Sequence, residues 1–175
     1  MAPGDRVVPA DLSAPMDMAA AVIQEARRAG IMIATAESLT GGALVARLVD
    51  VPGASTVVAG GSACYSYLAK HRLLGIDLGL LERTGAVTTE VATLMAEGAQ
   101  RLYACDLVLS TTGVAGPGPD HRGVPAGTVV FGLARRGLPT RTVTLQLDGD
   151  RAEVRARAVQ EALRLCYDSL CGNRL

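Results

Sequence analysis

The chain has 175 residues, balances 17 basic against 17 acidic side chains and is 49% apolar, which argues against a surface built to bind polyanions. A chain of this length buries roughly two thirds of its unfolded surface, enough for one hydrophobic core without covalent staples. One Phe, four Tyr and no Trp leave that core to Ala, Val, Leu and Ile, side chains suited to close helix-on-sheet packing.

Residues 1–13 carry two prolines, a glycine and scattered charge; they read as a flexible leader, with a single domain over 14–175. "MDMAAAVIQEARRAG" then places Met18, Val22, Ile23 and Ala26 on one helical stripe, with Arg27 and Arg28 in the last turn and Gly30 as the stop. The apolar run 31–36 predicts a buried strand, and "ALVARLVD" after Gly41 and Gly42 predicts a helix. A second strand is expected in "TVVAGGSACYSY", where Gly60 and Gly61 mark a bulge or a close backbone approach, followed by short helices over 67–83.

Further on, Val91, Leu94, Met95, Gly98 and Leu102 share a helical face, with Thr88 or Thr89 placed to cap it. Residues 106–110 repeat the earlier design, an apolar strand ending in hydroxyls and glycines. Strands are expected over 127–134 and 140–147, the latter alternating as an edge or one-sided strand does. Asp150, three residues before Glu153, predicts a capping box and a last helix running to about 170. Helices interleaved with strands in this order predict a three-layer α/β/α sandwich around a mixed central sheet.

Chemistry-bearing residues fall at predicted strand ends, where α/β folds hold their ligands. In "ESLTGG", Ser38 or Thr40 either caps the following helix or, for Ser38, presents a nucleophile, and that short pattern alone does not separate the two. "TTGVAGPGPDHRGVPAG", 111–127, holds five glycines and three prolines. Glycine lets backbone approach a ligand and proline limits freedom, so this stretch reads as a rigid cradle or a long surface loop. Between the two lies "YSYLAK". Lys70 is the only lysine of the chain, and a lysine deprived of its proton by burial is a base for a serine hydroxyl, which no arginine can be. Neither His71 nor His121 has an orienting carboxylate at helical spacing, which disfavours a Ser-His-Asp arrangement.

Cys64, Cys105, Cys166 and Cys171 form no CxxC pair, so no metal site is expected. No stretch approaches the ~20 continuous apolar residues of a membrane span, and the first residues lack the apolar core of a signal peptide. A cytoplasmic protein with reduced thiols is expected, with neither nucleic acid nor membrane as a partner.

Taken in order, "ATAESLTGG", "VPGAS", "YSYLAK", "LLGI", "GAVTTEVATLMAEGA", "TTGVAGPGP", "PAGTVVFGLA" and "LDGDRAEVR" resemble the CinA C-terminal domain family over roughly residues 16–170. Each piece alone is weak, while eight in the right order are specific. The resemblance implies a nicotinamide mononucleotide deamidase, which hydrolyses nicotinamide mononucleotide to nicotinic acid mononucleotide and ammonia in pyridine nucleotide salvage, with no metal or organic cofactor. It implies Ser38 as nucleophile, with Tyr65 and Lys70 as activating groups. Substrate contacts are then expected from Glu37, Thr40, Gly41, Gly42, Thr112, Gly113, Ala115 and Gly116, and an oxyanion site from N–H groups near Gly41 and Gly42 or in the 112–116 loop. Arg151 matches an arginine suited to the substrate phosphate, in its own or a neighbouring subunit, and a homo-oligomer is expected. The chain departs from the family at Leu39 (usually Cys), at Tyr67 (usually Asn) and in "GPGPDHRGVPAG", which lacks a double glycine and a lysine. Those departures place substrate choice around 118–126.

Overall fold

The computed structural model describes residues 17–172; the leader expected over 1–13 lies outside them. Helix α1, Met18–Ala29, is capped by Asp17 and stopped by Gly30, whose left-handed backbone returns its N–H to the carbonyls of Ala26 and Arg27. Its apolar stripe is buried, as the periodicity predicts. Strand β1, Ile33–Glu37, is wholly buried and ends one residue later than the apolar run, so that Glu37 belongs to the sheet. Helix α2, Ala43–Val49, follows, and a short helical turn, Ala54–Thr56, leads to β2, Val58–Ala63.

Helices α3, Tyr67–Leu74, and α4, Leu78–Thr84, fill the region where short helices were expected. Helix α5, Thr89–Tyr103, is capped by Thr88. Its buried face is Val91, Ala92, Met95, Ala96, Gly98 and Ala99, whereas Leu102, expected on that face, is 49% exposed. The small residues explain the difference: α5 lies so close to α3 that a Cβ on Gly98 would collide with the Leu74 carbonyl. Strand β3, Leu107–Gly113, runs three residues beyond its apolar run, through Thr111 and Thr112. Strands β4, Thr128–Arg135, and β5, Arg141–Gln146, precede α6, Arg151–Leu170. The predicted capping box opens α6: Asp150 accepts from the Ala152 and Glu153 N–H groups, and Glu153 accepts from the Asp150 N–H.

The sheet order is β2-β1-β3-β4-β5, with β2, β1 and β3 parallel and β4 and β5 antiparallel, so the sheet is mixed and β5 is an edge. Alternation along the strands divides the core between its faces. Ile33, Leu107, Leu109, Val129, Phe131 and Leu133 pack with α1, α2 and α6. Ala34, Ala36, Val108 and Ala134 face α3, α4 and α5. Fully burying a Val, Leu, Ile, Met or Phe side chain contributes about 1.5–3 kcal/mol, and each face buries several, among them Leu81, Val91 and Met95 on the α3–α5 side. Adjacent parallel strands β1 and β3 thus end together, with Glu37 beside Thr111, and everything that follows them opens on one edge.

Candidate active site

Beyond Glu37 the chain must leave the sheet and start a helix within a few residues. Ser38 stays tied to β3 through its N–H to the Thr111 carbonyl at 2.8 Å, and the Gly41 N–H closes a turn onto the Ser38 carbonyl at 3.1 Å. Gly41 and Gly42 have φ of 64° and 94°, the left-handed region that costs an ordinary L-residue roughly 1–2 kcal/mol. The paired glycines are therefore what lets the turn form directly after the serine.

Glu37 holds this turn from beneath. Its fully buried carboxylate accepts from Gly42 N–H at 2.9 Å, Leu44 N–H at 3.0 Å, Val45 N–H at 2.8 Å and the Thr35 hydroxyl at 2.9 Å. The amides that open α2 are consumed by the protein's own carboxylate. Glu37 is thus a cap reached through space, and the N–H groups of Gly41 and Gly42 themselves already have acceptors, which leaves neighbouring amides or the 112–116 loop for an oxyanion. Thr40 is also turned inward, its hydroxyl 2.7 Å from that of Thr111, and the Thr112 hydroxyl donates to the Ala86 carbonyl at 2.7 Å. All these threonines are buried.

Lys70 reaches Ser38 from α3. The Ser66 hydroxyl caps that helix, and Lys70, one turn in, points under the end of the sheet, with no solvent exposure. Its Nζ lies 2.9 Å from Ser38 Oγ, 2.7 Å from the Cys64 carbonyl and 3.4 Å from the Tyr65 carbonyl. A charged ammonium would find three acceptors here but no carboxylate. Burial pushes its pKa from 10.5 down to about 8, against a smaller upward pull from the neighbouring Cys64 thiol. Two of the acceptors are carbonyls, which cannot donate. A neutral amine that gives its two hydrogens to them turns its lone pair to the Ser38 hydroxyl.

Ser38 is 8% exposed and opens onto a cleft of about 370 Å³, within the range of small-molecule sites. Gly113, Ala115 and Gly116 form one wall, with Leu39, Tyr67 and His121 around them. Glu37, Thr40, Gly41, Gly42 and Thr112 do not line it; they build the frame that holds those that do. Tyr65 is 63% exposed, and its hydroxyl accepts from Arg151 at 3.1 Å. It therefore touches Lys70 only through its backbone, and the structure does not place its hydroxyl between Lys70 and Ser38. Arg151 also donates to the Gly116 carbonyl at 2.9 Å, so it spans the mouth of the cleft within one chain.

The far wall is stiffened by its own side chains. Asp120 Oδ1 accepts from the Arg122 and Val124 N–H groups, both at 2.9 Å, and Arg122 reaches the Arg83 and Glu82 carbonyls. His71, by contrast, is spent on the Ile76 carbonyl at 2.8 Å. Arg155 is the residue that the sequence reading missed. From α6 it donates to the Leu39 carbonyl at 2.9 Å and the Thr40 carbonyl at 3.0 Å. The signal was its spacing, four residues after Arg151, which puts both guanidiniums on one face of the helix. Among the described residues, no cluster of three or more His, Cys, Asp or Glu could hold a metal ion, and no helix is long and apolar enough to cross a membrane.

The arrangement is that of a shielded serine within hydrogen-bond distance of a buried lysine amine, facing a small cleft with a cation at its mouth. The family model described as CinA C-terminal domain matches residues 16–170. A "CinA-like protein" of Mycolicibacterium vanbaalenii is 45% identical over 144 residues, 82% of this chain and 34% of the relative. One from Mycobacterium avium is 43% identical over 167 residues, 93% of this chain and 37% of the relative. The chain thus spans about a third of the length of these curated relatives. The crystal structure of a CinA superfamily protein from Klebsiella pneumoniae superimposes with a TM-score of 0.86 at 29% identity, covering 89% of this chain and 97% of that one.

Proposed function

The chain belongs to the CinA C-terminal domain family, and from that premise we propose that it is a serine amidohydrolase that converts nicotinamide mononucleotide and water into nicotinic acid mononucleotide and ammonia. The observation that carries the proposal is the 2.9 Å contact between Ser38 Oγ and Nζ of the chain's only lysine. A base with a pKa of about 8 is neutral in roughly a tenth of molecules at pH 7, and it gains driving force over a weaker base in the remaining step, so it suits general-base work near neutrality.

In this reading the neutral Lys70 takes the Ser38 proton as Oγ attacks the carboxamide carbon. The tetrahedral intermediate collapses with cleavage of the C–N bond. Lys70 passes its proton to the departing nitrogen, which leaves as ammonia, and nicotinic acid mononucleotide remains as an ester of Ser38. Lys70, neutral again, then activates a water that attacks the ester. The acid is released and the proton returns to Ser38. Tyr65 acts at the mouth rather than in proton transfer: with Arg151 and the Gly116 carbonyl it forms a polar rim, and Arg151 is the cation available to the substrate phosphate. Gly113, Ala115 and Gly116 give the nucleotide close contact with backbone. Leu39, Tyr67 and the 118–126 wall contribute the shape that selects the amide.

One assay tests the reading: ammonia release from nicotinamide mononucleotide, nicotinamide riboside and nicotinamide, with binding measured in parallel. Release fastest from the mononucleotide supports it. Binding without release points instead to a silent nucleotide-binding module, and release from a different small amide to a related hydrolase.

A further inference from the structure

A serine nucleophile needs donors aimed at the oxygen that gains charge, and here the amides opening α2 are already taken by Glu37. Two nearby N–H groups, those of Leu39 and Thr40, make no hydrogen bond among the described residues. Leu39 lines the cleft directly after the nucleophile, the position from which strand-to-helix serine turns supply an oxyanion donor.

Resting on the amidohydrolase reading, we infer that Arg155 is a positioning residue whose guanidinium, by holding the Leu39 and Thr40 carbonyls, fixes the turn after Ser38 so that the Leu39 N–H serves the oxyanion site. In a planar trans peptide the N–H points opposite to the C=O. Holding the Leu39 carbonyl toward α6 therefore turns the Thr40 N–H the other way. Holding the Thr40 carbonyl fixes the next peptide, whose Gly41 N–H binds the Ser38 carbonyl. That bond in turn sets the Leu39 N–H. One planar fork, with two donors aimed at successive carbonyls, thereby orients the Leu39 amide at the cleft. The guanidinium packs against the turn itself: a Cβ on Gly41 would be in van der Waals contact with Arg155 Nη2, at 3.5 Å. A lysine could not reproduce this bidentate hold.

The test uses Arg155→Met and Arg155→Lys in the full chain. Each is compared with wild type for kcat and KM on nicotinamide mononucleotide, for binding of nicotinic acid mononucleotide, and for the rate at which a fluorophosphonate modifies Ser38. In that modification the Ser38 Oγ–P bond forms, fluoride leaves, and Lys70 receives the hydroxyl proton; the phosphoryl oxygen occupies the oxyanion position. A Ser38→Ala control identifies the site by intact mass. Arg155→Met is expected to lower kcat and the modification rate together, by roughly 10²–10³-fold, with KM and product binding within about threefold and the pH midpoint of modification unmoved. Arg155→Lys should recover part of the loss.

A folded Arg155→Met that turns over and labels like wild type overturns the inference. So does an equal loss of product binding, since that reports collapse of the cleft rather than misdirected donors. If Arg155→Met does not fold, Arg155→Lys decides by the same criteria. Should wild type release no ammonia, the functional reading fails while the labelling arm still decides the role of Arg155.

Discussion

Lys70 Nζ and Ser38 Oγ lie 2.9 Å apart, and the other two acceptors around Nζ are backbone carbonyls. Of these three hydrogen-bond partners the serine hydroxyl is the one that can lose a proton to the amine. Lys70→Arg keeps positive charge but removes the base, since a guanidinium does not deprotonate in a protein. We expect Ser38→Ala, Lys70→Ala and Lys70→Arg each to reduce ammonia release by at least about 10³-fold, with no further loss when Ser38→Ala and Lys70→Ala are combined. Initial rates, with thermal melts to confirm folding, check this.

The depressed Lys70 pKa makes a pH prediction of definite sign. Activity should rise with pH and level off above about 8, because the neutral amine is the active form. Stability moves in the same direction. Between about 8 and 10.5 the unfolded chain holds a proton on Lys70 that the folded chain has released, so unfolding becomes harder as pH rises. The contribution is complete above the unfolded value of 10.5 and is lost as pH falls through about 8. Its size is on the order of 3 kcal/mol. Denaturant melts from pH 7 to 10 should show wild type gaining stability above about pH 8 relative to Lys70→Met, which has no amine to titrate; equal pH slopes would mean that Lys70 is not the cause.

Glu37→Gln should act on the frame. The carboxylate accepts three amides and a hydroxyl, and a carboxamide would turn an NH₂ toward one of those donors. A loss of about 1–3 kcal/mol is expected from the buried mismatch, together with a lower kcat as the serine turn loosens. KM should change little, because Glu37 does not line the cleft. Urea titration alongside steady-state kinetics distinguishes this from a substrate contact.

Arg151→Ala is expected to raise KM for nicotinamide mononucleotide roughly 10–100-fold, through loss of a charge-assisted phosphate contact. The same substitution should leave nicotinamide riboside, which has no phosphate, within about threefold. Tyr65→Phe should give a smaller KM effect and near-normal kcat, since its hydroxyl contacts Arg151 and not Lys70. A Tyr65→Phe variant with kcat down 10²-fold or more would instead return Tyr65 to proton transfer.

Most of the fold was legible because it rests on local rules. Short apolar runs that become buried strands, the left-handed glycine after α1, Thr88 as a cap and the Asp150–Glu153 box all act within a few residues. The α5 face was misassigned at Leu102 because close packing on α3 and β4 favours small side chains, and hydrophobicity alone ranks leucine above alanine. At the site, Ser38 and Lys70 stood out by residue type. Glu37 and Thr112 were misread as substrate contacts because nothing in a strand's sequence says whether its last polar group faces a cleft or the start of a helix. Arg155 escaped for a related reason: its partners lie 115 and 116 positions away, and only its spacing from Arg151 hinted at a shared direction.

The solitary, enclosed Lys70 also has a consequence for chemical modification. Every other basic side chain apart from two histidines is an arginine, so among side chains acylating reagents that seek primary amines find a single target, and it lies behind Ser38. Such a reagent is a footprinting probe of the site: acylation located at Lys70 reports how often α3 and the Ser38 turn part company, and a ligand seated in the cleft should slow it.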